Sequence, residues 1–367
     1  MSTLAAPAAG PSVPTTPATP ATPATPTTPT TMRASVLRGI GDVAVEERPV
    51  PVPRPDEVLV RITSVGVCGS DVHYYEHGRI GRYVVERPLV LGHEAGGVVA
   101  ACGSAVAGLE VGQRVSLEPG VPCRACASCL AGHYNLCPSV VFFATPPYDG
   151  AFCEYVALPA LFTHAVPAAL SEDAAALIEP LSVGVWACRR AEVRLGSRVL
   201  VTGAGPIGLL AAQAARASGA AEVVITDVNP ARLVLAAGWG LGTLDVSAQP
   251  LATAGFEPDV LLECSGQPGP TGEAIGVMAR AGRVILVGMG GDTLPLPLPV
   301  VQERELWITG AFRYANTWPA AIGLAASGAV DLDAVVTGHF RLDEVEQALT
   351  VGRREKDSVK VMVRPGS

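Results

Sequence analysis

No stretch of eighteen apolar residues occurs in this 367-residue chain, because Gly, Pro or a charged residue interrupts every hydrophobic run. A membrane-spanning helix is thereby excluded and a soluble protein expected. Basic runs are missing as well: a formal charge of −8 with no cluster of Lys and Arg argues against nucleic acid or an anionic membrane as main partner, and for a neutral small molecule. Cysteine is sparse and uneven, nine residues of which four share one loop, so the chain is no secreted disulfide scaffold and a reducing cytoplasm is its expected location. The N-terminus lacks the positive start and continuous apolar core of a secretion signal. Residues 1–31 instead repeat Pro, Ala and Thr without charge and read as a disordered, partly polyproline-II tail, which makes Met32 the expected start of the folded protein.

What is present suffices for two cores, since the length exceeds the usual single-core size and 49% of residues are hydrophobic. From residue 32 to about 160 short alternating runs such as Glu57-Val-Leu-Val-Arg-Ile and Gly96-Gly-Val-Val-Ala, separated by Gly and Pro turns, predict a mostly β body with long loops. From about 182 to about 310 the texture becomes strand, turn and Ala-rich helix, beginning with Val199-Leu-Val-Thr and Val223-Val-Ile-Thr-Asp. That alternation predicts a parallel sheet covered on both faces, so the overall class is α/β. The last fifty residues read as a helix over 342–351 and a closing strand at Val359-Lys-Val-Met-Val that rejoins the first domain.

Three constellations carry chemistry. Cys123, Cys126, Cys129 and Cys137 are too close together for separate disulfides, whereas tetrahedral zinc takes four thiolates at this spacing; four thiolates leave no open position, so this site is expected to be structural. Cys102, Cys153, Cys188 and Cys264 read as ordinary small hydrophobes. The turn Gly203-Ala-Gly205-Pro206-Ile207-Gly208 follows an apolar run and precedes a helix, and Asp227 closes the next strand nineteen residues after Gly208. Glycines there let the backbone approach a pyrophosphate, while Asp227 accepts ribose hydroxyls and repels a 2′-phosphate, which favours NAD over NADP, with Arg232 nearby leaving NADP open. His93-Glu94 alone reads as a surface pair. With Cys68 it makes an incomplete tetrahedron of thiolate, imidazole and carboxylate that leaves room for water or a substrate oxygen. Glu179, in Ala-Leu-Ile-Glu-Pro-Leu, is a carboxylate in a buried segment, and a metal or its water would account for it.

Together with Gly66-Val-Cys-Gly-Ser-Asp-Val-His-Tyr74, Gly92-His-Glu-Ala, Ala144-Thr-Pro-Pro, Ile178-Glu-Pro-Leu-Ser-Val-Gly and Phe312-Arg-Tyr-Ala-Asn-Thr-Trp, these motifs resemble the zinc-dependent medium-chain dehydrogenases, and within them the polyol dehydrogenase branch, from about residue 33 onward. The resemblance implies a GroES-like, mostly β catalytic domain over 32–181, completed by 313–367 and carrying a zinc lobe at about 119–140, and a Rossmann doubly wound NAD domain over 182–312. It implies Cys68, His93 and Glu94 around a catalytic zinc, with Glu179 as fourth ligand or holder of its water, and Ser70 and His73 at proton-relay positions. It further implies polar substrate contacts at Tyr74, Thr145, Arg313 and Tyr314, an apolar wall at Phe142, and NAD contacts that include Val287, Gly288, Phe312 and Arg313. Aromatic packing is an equal alternative for Tyr74 and Tyr314. The implied reaction moves hydride from a secondary alcohol of a polyol to NAD in a homo-oligomer, a tetramer in relatives, whose apolar edge candidate here is Glu305-Leu-Trp-Ile-Thr. Keeping all four loop cysteines implies two zinc ions per subunit. The stretch 240–259 is short for the family and implies a trimmed helix. A zinc dehydrogenase for threonine, a simple alcohol or a sugar acid remains open, as does a non-catalytic NAD-binding relic.

Overall fold

Residues 28–291 and 293–366 are described in the computed structural model of the chain. Most of the expected tail, residues 1–27, lies outside them. The first strand, Thr31–Gly39, begins one residue before Met32, and the carbonyl of Thr30 already accepts from Val50 N at 3.0 Å.

The first half builds two main sheets, and the central strand of the larger one, Glu57–Gly66, is buried along nearly all its length rather than alternating. Thr31–Gly39 pairs with Asp42–Pro49 on one side and Leu89–Val90 on the other. The larger sheet runs Thr163–Ala165, Arg114–Leu117, Glu94–Cys102, Glu57–Gly66, Lys360–Arg364 and Val336–Arg341, with Tyr155–Pro159 also paired to Glu57–Gly66. The last strand of the chain therefore lies directly against the strand that leads to Cys68.

The second half forms a six-stranded sheet, parallel throughout, in the order Gly242–Asp245, Glu222–Asp227, Arg198–Thr202, Val260–Glu263, Arg283–Leu286, Trp307–Gly310. Numbered along the chain this is 3-2-1-4-5-6, the doubly wound order whose direction reverses between Arg198–Thr202 and Val260–Glu263 and opens a ligand crevice at their carboxyl ends. Between Gly242–Asp245 and Val260–Glu263 the only helical element is the 3-10 turn Leu251–Thr253, matching the trimmed helix expected from 240–259.

One helix, Glu172–Arg190, serves both halves. Ser171 caps it by accepting from Ala174 N, acids occupy its first turn and Arg189 and Arg190 its last, all favourable to the helix dipole. It packs on Glu94–Cys102 and Glu57–Gly66 as well as on the helices Pro206–Ala217 and Trp318–Ala326. The expected boundary at 181/182 thus falls inside a continuous helix. Likewise Tyr314, Trp318, Ala321, Val330 and Val335 belong to the same core as the nucleotide sheet, and it is Val336–Arg341, the helix Val345–Arg354 and Lys360–Arg364 that join the first domain.

Asp173, in the first turn of this shared helix, locks it to the catalytic sheet: Ser64 Oγ donates to Oδ1 at 2.6 Å, while His339 Nε2 and Arg364 Nη2 meet Oδ2 at 2.6 and 2.9 Å. Burial alone would raise this carboxyl, but the bonds from His339, Ser64 and Arg364 outweigh it and hold Asp173 below its ordinary 3.8. A folded-state value below the unfolded one adds stability above that ordinary value and loses it as pH falls through the lowered one. Asp173→Asn is expected to cost about 1–3 kcal/mol near neutrality. Urea titrations should show the gap to wild type closing in acid, and a gap independent of pH would contradict this account.

Candidate metal and cofactor site

The residues expected around a catalytic metal come from two neighbouring strands. Cys68 follows Glu57–Gly66 and stands at the N-cap of the helix Gly69–His77, with extended backbone angles of −94° and 154°. Glu94 opens the adjacent strand in register with Gly66, which brings His93 and Glu94 across from Cys68. One ligand atom each from Cys68, His93 and Glu94 lies within 4.8 Å of the others. Asp71 organises the cluster from below. Its Oδ2 accepts from Cys68 N and its Oδ1 from Gly92 N, both at 3.0 Å, and Oδ1 stands 3.7 Å from His93 Nδ1. Burial works against a charged His93, yet Cys68 and Asp71 outweigh it and raise its pKa.

Glu94 is also held by Lys360, whose Nζ lies 2.8 and 2.7 Å from its two oxygens and 2.9 Å from the Val67 carbonyl. Both side chains are almost fully buried. Two carboxylate oxygens offer about four acceptor positions, so this clamp leaves Glu94 lone pairs to spare. Sulfur, imidazole nitrogen and carboxylate oxygen converging in a buried, acid-rich pocket form a donor set that suits zinc and keeps a position open.

Glu179 projects from the shared helix and is not one of the three residues whose ligand atoms converge. Burial pushes its carboxyl up to about 7, the His93 charge opposing and Glu94 assisting. Its Oε1 accepts from the Tyr314 hydroxyl at 2.5 Å, so Tyr314, 3% exposed, turns its polar end to Glu179. Arg313 lies face-on to Phe142, 3.8 Å from the ring centroid, and Phe142 in turn sits 5.7 Å from His93. These contacts bring Phe142, Arg313 and Tyr314 into one wall beside the cluster. Tyr74 is buried on Gly69–His77, which pushes its phenol up to about 12. Thr145 closes the turn after Val141–Phe142, its amide donating to the Phe142 carbonyl. On the same helix as Tyr74, Ser70 is half-buried and His73 exposed, a progression from inside to outside.

The glycine turn lies at the reversal point of the parallel sheet. Gly203 has φ +83°, and a Cβ on Gly208 would meet the Gly203 carbonyl oxygen at 1.8 Å, so neither position tolerates a side chain. A Cβ on Gly205, the N-cap of Pro206–Ala217, would meet nothing within 4 Å, and half-buried Pro206 and Ile207 follow it. That open approach to a helix N-terminus fits a pyrophosphate. Asp227 ends the second strand, its Oδ2 accepting from Ala204 N and its Oδ1 from Val228 N and Asn229 N. Arg232 is turned elsewhere: its guanidinium donates to the carbonyls of Lys356 and Ser358, so the cation that left NADP open is committed to the C-terminal segment. Val287 and Gly288 lie past the fifth strand with both amides on the Glu263 carbonyl at 2.8 Å, and Phe312, half exposed, follows the sixth.

In the lobe, the sulfurs of Cys126 and Cys129 are 3.4 Å apart and those of Cys123 and Cys129 3.9 Å. Tetrahedral zinc with Zn–S of about 2.3 Å spaces its sulfurs about 3.8 Å apart, which these distances bracket. All four ligand atoms lie within 4.8 Å of one another. Amides of Cys123 and Cys126 donate to the sulfurs of Cys137 and Cys123 at 3.3 Å. The amides of Ala125 and Cys126 hold the Cys123 thiol down to about 6, while desolvation and the neighbouring Cys126 and Cys137 thiols push Cys129 up to about 12. Pairing of Gly120–Val121 with Val141–Phe142 closes the base of the lobe.

Sequence reasoning missed Asp71 and Lys360. A lysine in the apolar run Val359-Lys-Val-Met-Val was the available signal, since a buried ammonium needs a partner. It also missed Tyr134, whose hydroxyl donates to Glu118 Oε1 at 2.6 Å while His164 Nε2 meets Oε2 at 2.9 Å.

Comparison with known proteins agrees with this architecture. Residues 54–168 match the alcohol dehydrogenase GroES-like domain and residues 206–327 the zinc-binding dehydrogenase domain. The chain is 44% identical over 338 residues to sorbitol dehydrogenase of Bos taurus, covering 90% of this chain and 95% of that one. It is 42% identical over 343 residues to sorbitol dehydrogenase of Bacillus subtilis, covering 91% and 97%. Among solved structures, L-idonate 5-dehydrogenase of Escherichia coli superposes with a TM-score of 0.86 at 30% identity, covering 91% of this chain and 98% of that one. With its two-domain fold, converging thiol, imidazole and carboxylate, and near full-length similarity, the chain belongs to the sorbitol dehydrogenase family of zinc-binding medium-chain dehydrogenases.

Proposed function

We propose that the chain oxidises a secondary hydroxyl of a sorbitol- or xylitol-like polyol to the ketose with NAD as acceptor, acting in the cytoplasm as a homo-oligomer. The observation that carries the reading is the convergence of Cys68, His93 and Glu94 in a chain 44% identical to a sorbitol dehydrogenase. When bound, zinc on these three residues supplies a positive charge that acidifies an alcohol, and NAD on the glycine turn supplies the hydride acceptor.

The remaining work falls to the chain's own side chains. Asp71 orients His93 and fixes the backbone at Cys68, and Lys360 holds Glu94 in place, as outer partners of metal ligands do. Glu179, buried and anchored by the Tyr314 hydroxyl, stands beside the reacting hydroxyl, whose proton must leave the site. Ser70 and His73 lead that proton from the half-buried to the exposed side of their helix. Tyr74, Thr145 and Arg313 offer polar contacts to a polyhydroxyl chain, and Phe142 an apolar wall. Asp227 opposes a 2′-phosphate, and the commitment of Arg232 to Lys356 and Ser358 supports NAD further.

All nine cysteines are free, which supports a reducing compartment, and among the described residues no helix is long and apolar enough to cross a membrane. Trp307–Gly310 is an edge strand carrying a Trp307 that is 40% exposed, which supports pairing with a second copy. Sedimentation at working concentration should give an oligomer; a monomer removes that part of the proposal.

Rates on sorbitol, xylitol, ribitol, L-idonate and threonine, each with NAD and NADP, test the reading, and the polyols with NAD are expected to lead. Cys68→Ser and His93→Ala should each abolish turnover and reduce bound zinc from two ions per subunit to one, with NADH still binding by fluorescence. A variant with near-normal turnover would take the metal out of the reaction. Lys360→Met leaves Glu94 buried and unpaired and should destabilise the metal-free protein by about 3–5 kcal/mol. The deficit should shrink when zinc is restored; equal deficits with and without zinc would show that Glu94 does not face the metal.

A further inference from the structure

The four-cysteine lobe does more than close on itself. Three hydrogen bonds run from it to the segment that carries Arg313 and Tyr314. Asn135 Nδ2 donates to the Phe312 carbonyl at 2.8 Å, the Tyr134 hydroxyl accepts from Asn316 N at 2.7 Å, and Asn316 Nδ2 donates to the Gly132 carbonyl at 3.2 Å. The segment needs such external support. Arg313 and Asn316 have φ of +53° and +57°; asparagine adopts this left-handed conformation readily, whereas an arginine is held in it by its surroundings.

Two further atoms point the same way. Asn135 Oδ1 and Arg313 Nη1 are both buried and without a hydrogen-bond partner. Both residues line one small cavity of about 10 Å³, together with Glu118, Tyr134, Phe142 and Tyr314. That is close to the least volume in which one water fits, and a water there has an acceptor and a donor awaiting it. Asn135 itself is 5% exposed and sits in the 3-10 turn Tyr134–Leu136, directly before Cys137.

We propose that Asn135 is a positioning residue for substrate recognition: its amide nitrogen fixes the Phe312–Arg313 peptide, and its amide oxygen reaches the Arg313 guanidinium through one water bound in this cavity. The four-cysteine lobe thereby sets the direction in which Arg313 is presented to the substrate. This rests on the reading of Arg313 as a polyol contact.

The test uses the full-length, zinc-loaded protein with Asn135→Ala, the near-isosteric Asn135→Leu, Arg313→Met and the two double variants. Removing a bond to a buried group should raise the polyol KM roughly tenfold, with kcat, the KM for NAD and the two zinc ions per subunit unchanged. In the Arg313→Met background neither Asn135 substitution should raise it further. Hydrogen exchange, which needs no substrate, should quicken at the amides of 313–316 and stay unchanged across 198–217. Additive KM effects, a loss confined to kcat, or unaltered exchange at 313–316 would each overturn the proposal. If Asn135→Ala sheds zinc, Asn135→Leu, which keeps the packing, decides; zinc loss from both would make the residue merely structural and equally overturn it. Should Arg313→Met leave the polyol KM untouched, the polyol contact falls, while exchange at 313–316 still decides whether Asn135 clamps the segment.

Discussion

The ion pair between Glu94 and Lys360 joins the candidate metal centre to the last strand of the chain, which completes the sheet of the first domain. Both charges lie almost wholly out of water, with a third bond from Lys360 to the Val67 carbonyl one residue before Cys68. Burial alone would drive Lys360 towards its neutral form, but Glu94 and Cys68 outweigh it and keep the ammonium charged. A buried pair of this kind adds little net stability over a hydrophobic one, because desolvation offsets most of the attraction. What it does supply is position: Lys360–Arg364 pairs with the end of Glu57–Gly66 in the register that brings the ammonium to Glu94, the first residue of the strand on the other side.

From that anchor the cleft is built outward by shared elements. The helix Glu172–Arg190 starts on the catalytic sheet through Asp173 and runs on against Pro206–Ala217. Glu179 lies between those two attachments, 4% exposed, and Tyr314 approaches it from the segment after the last strand of the nucleotide sheet. A carboxyl on the shared helix that is bonded to Tyr314 keeps its geometry only while that segment stays against the helix. The fold therefore couples domain placement to the chemistry of the site through one continuous helix.

How far the sequence foretold this depended on range. The four-cysteine loop and the glycine turn are local patterns, in which spacing along the chain sets spacing in space, and both could be read without a structure. Cys68 and the His93–Glu94 pair are further apart, and their meeting depends on antiparallel register that alternation only partly encodes. Lys360 lies 266 residues from Glu94, and no periodicity links the two. Domain limits are hard to read for the same reason. A helix buried along most of its length gives no polar break at 181/182, and Trp318–Ala326 is as apolar as any element of either core. Arg232 looked available because it stands near Asp227, while the carbonyls that occupy it come from more than a hundred residues later.

The two candidate metal clusters differ in a way that fits them for different work. Four sulfurs at mutual contact use up a tetrahedron, and their site opens to solvent, with Cys123 exposed. Sulfur, nitrogen and oxygen at Cys68, His93 and Glu94 leave a position free in a pocket that water reaches poorly, since His93 and Glu94 are 8% and 1% exposed. A charge in such surroundings is weakly screened and acts strongly on whatever occupies the free position. Stabilisation of that size is useful only if the occupant is held still. The wall that would hold it, Phe142, Arg313 and Tyr314, is itself set by contacts from Glu118, Tyr134 and Asn135 at the foot of the lobe. On the proposed reading, the closed cluster would serve the open one through its hydrogen bonds to the residues across from it.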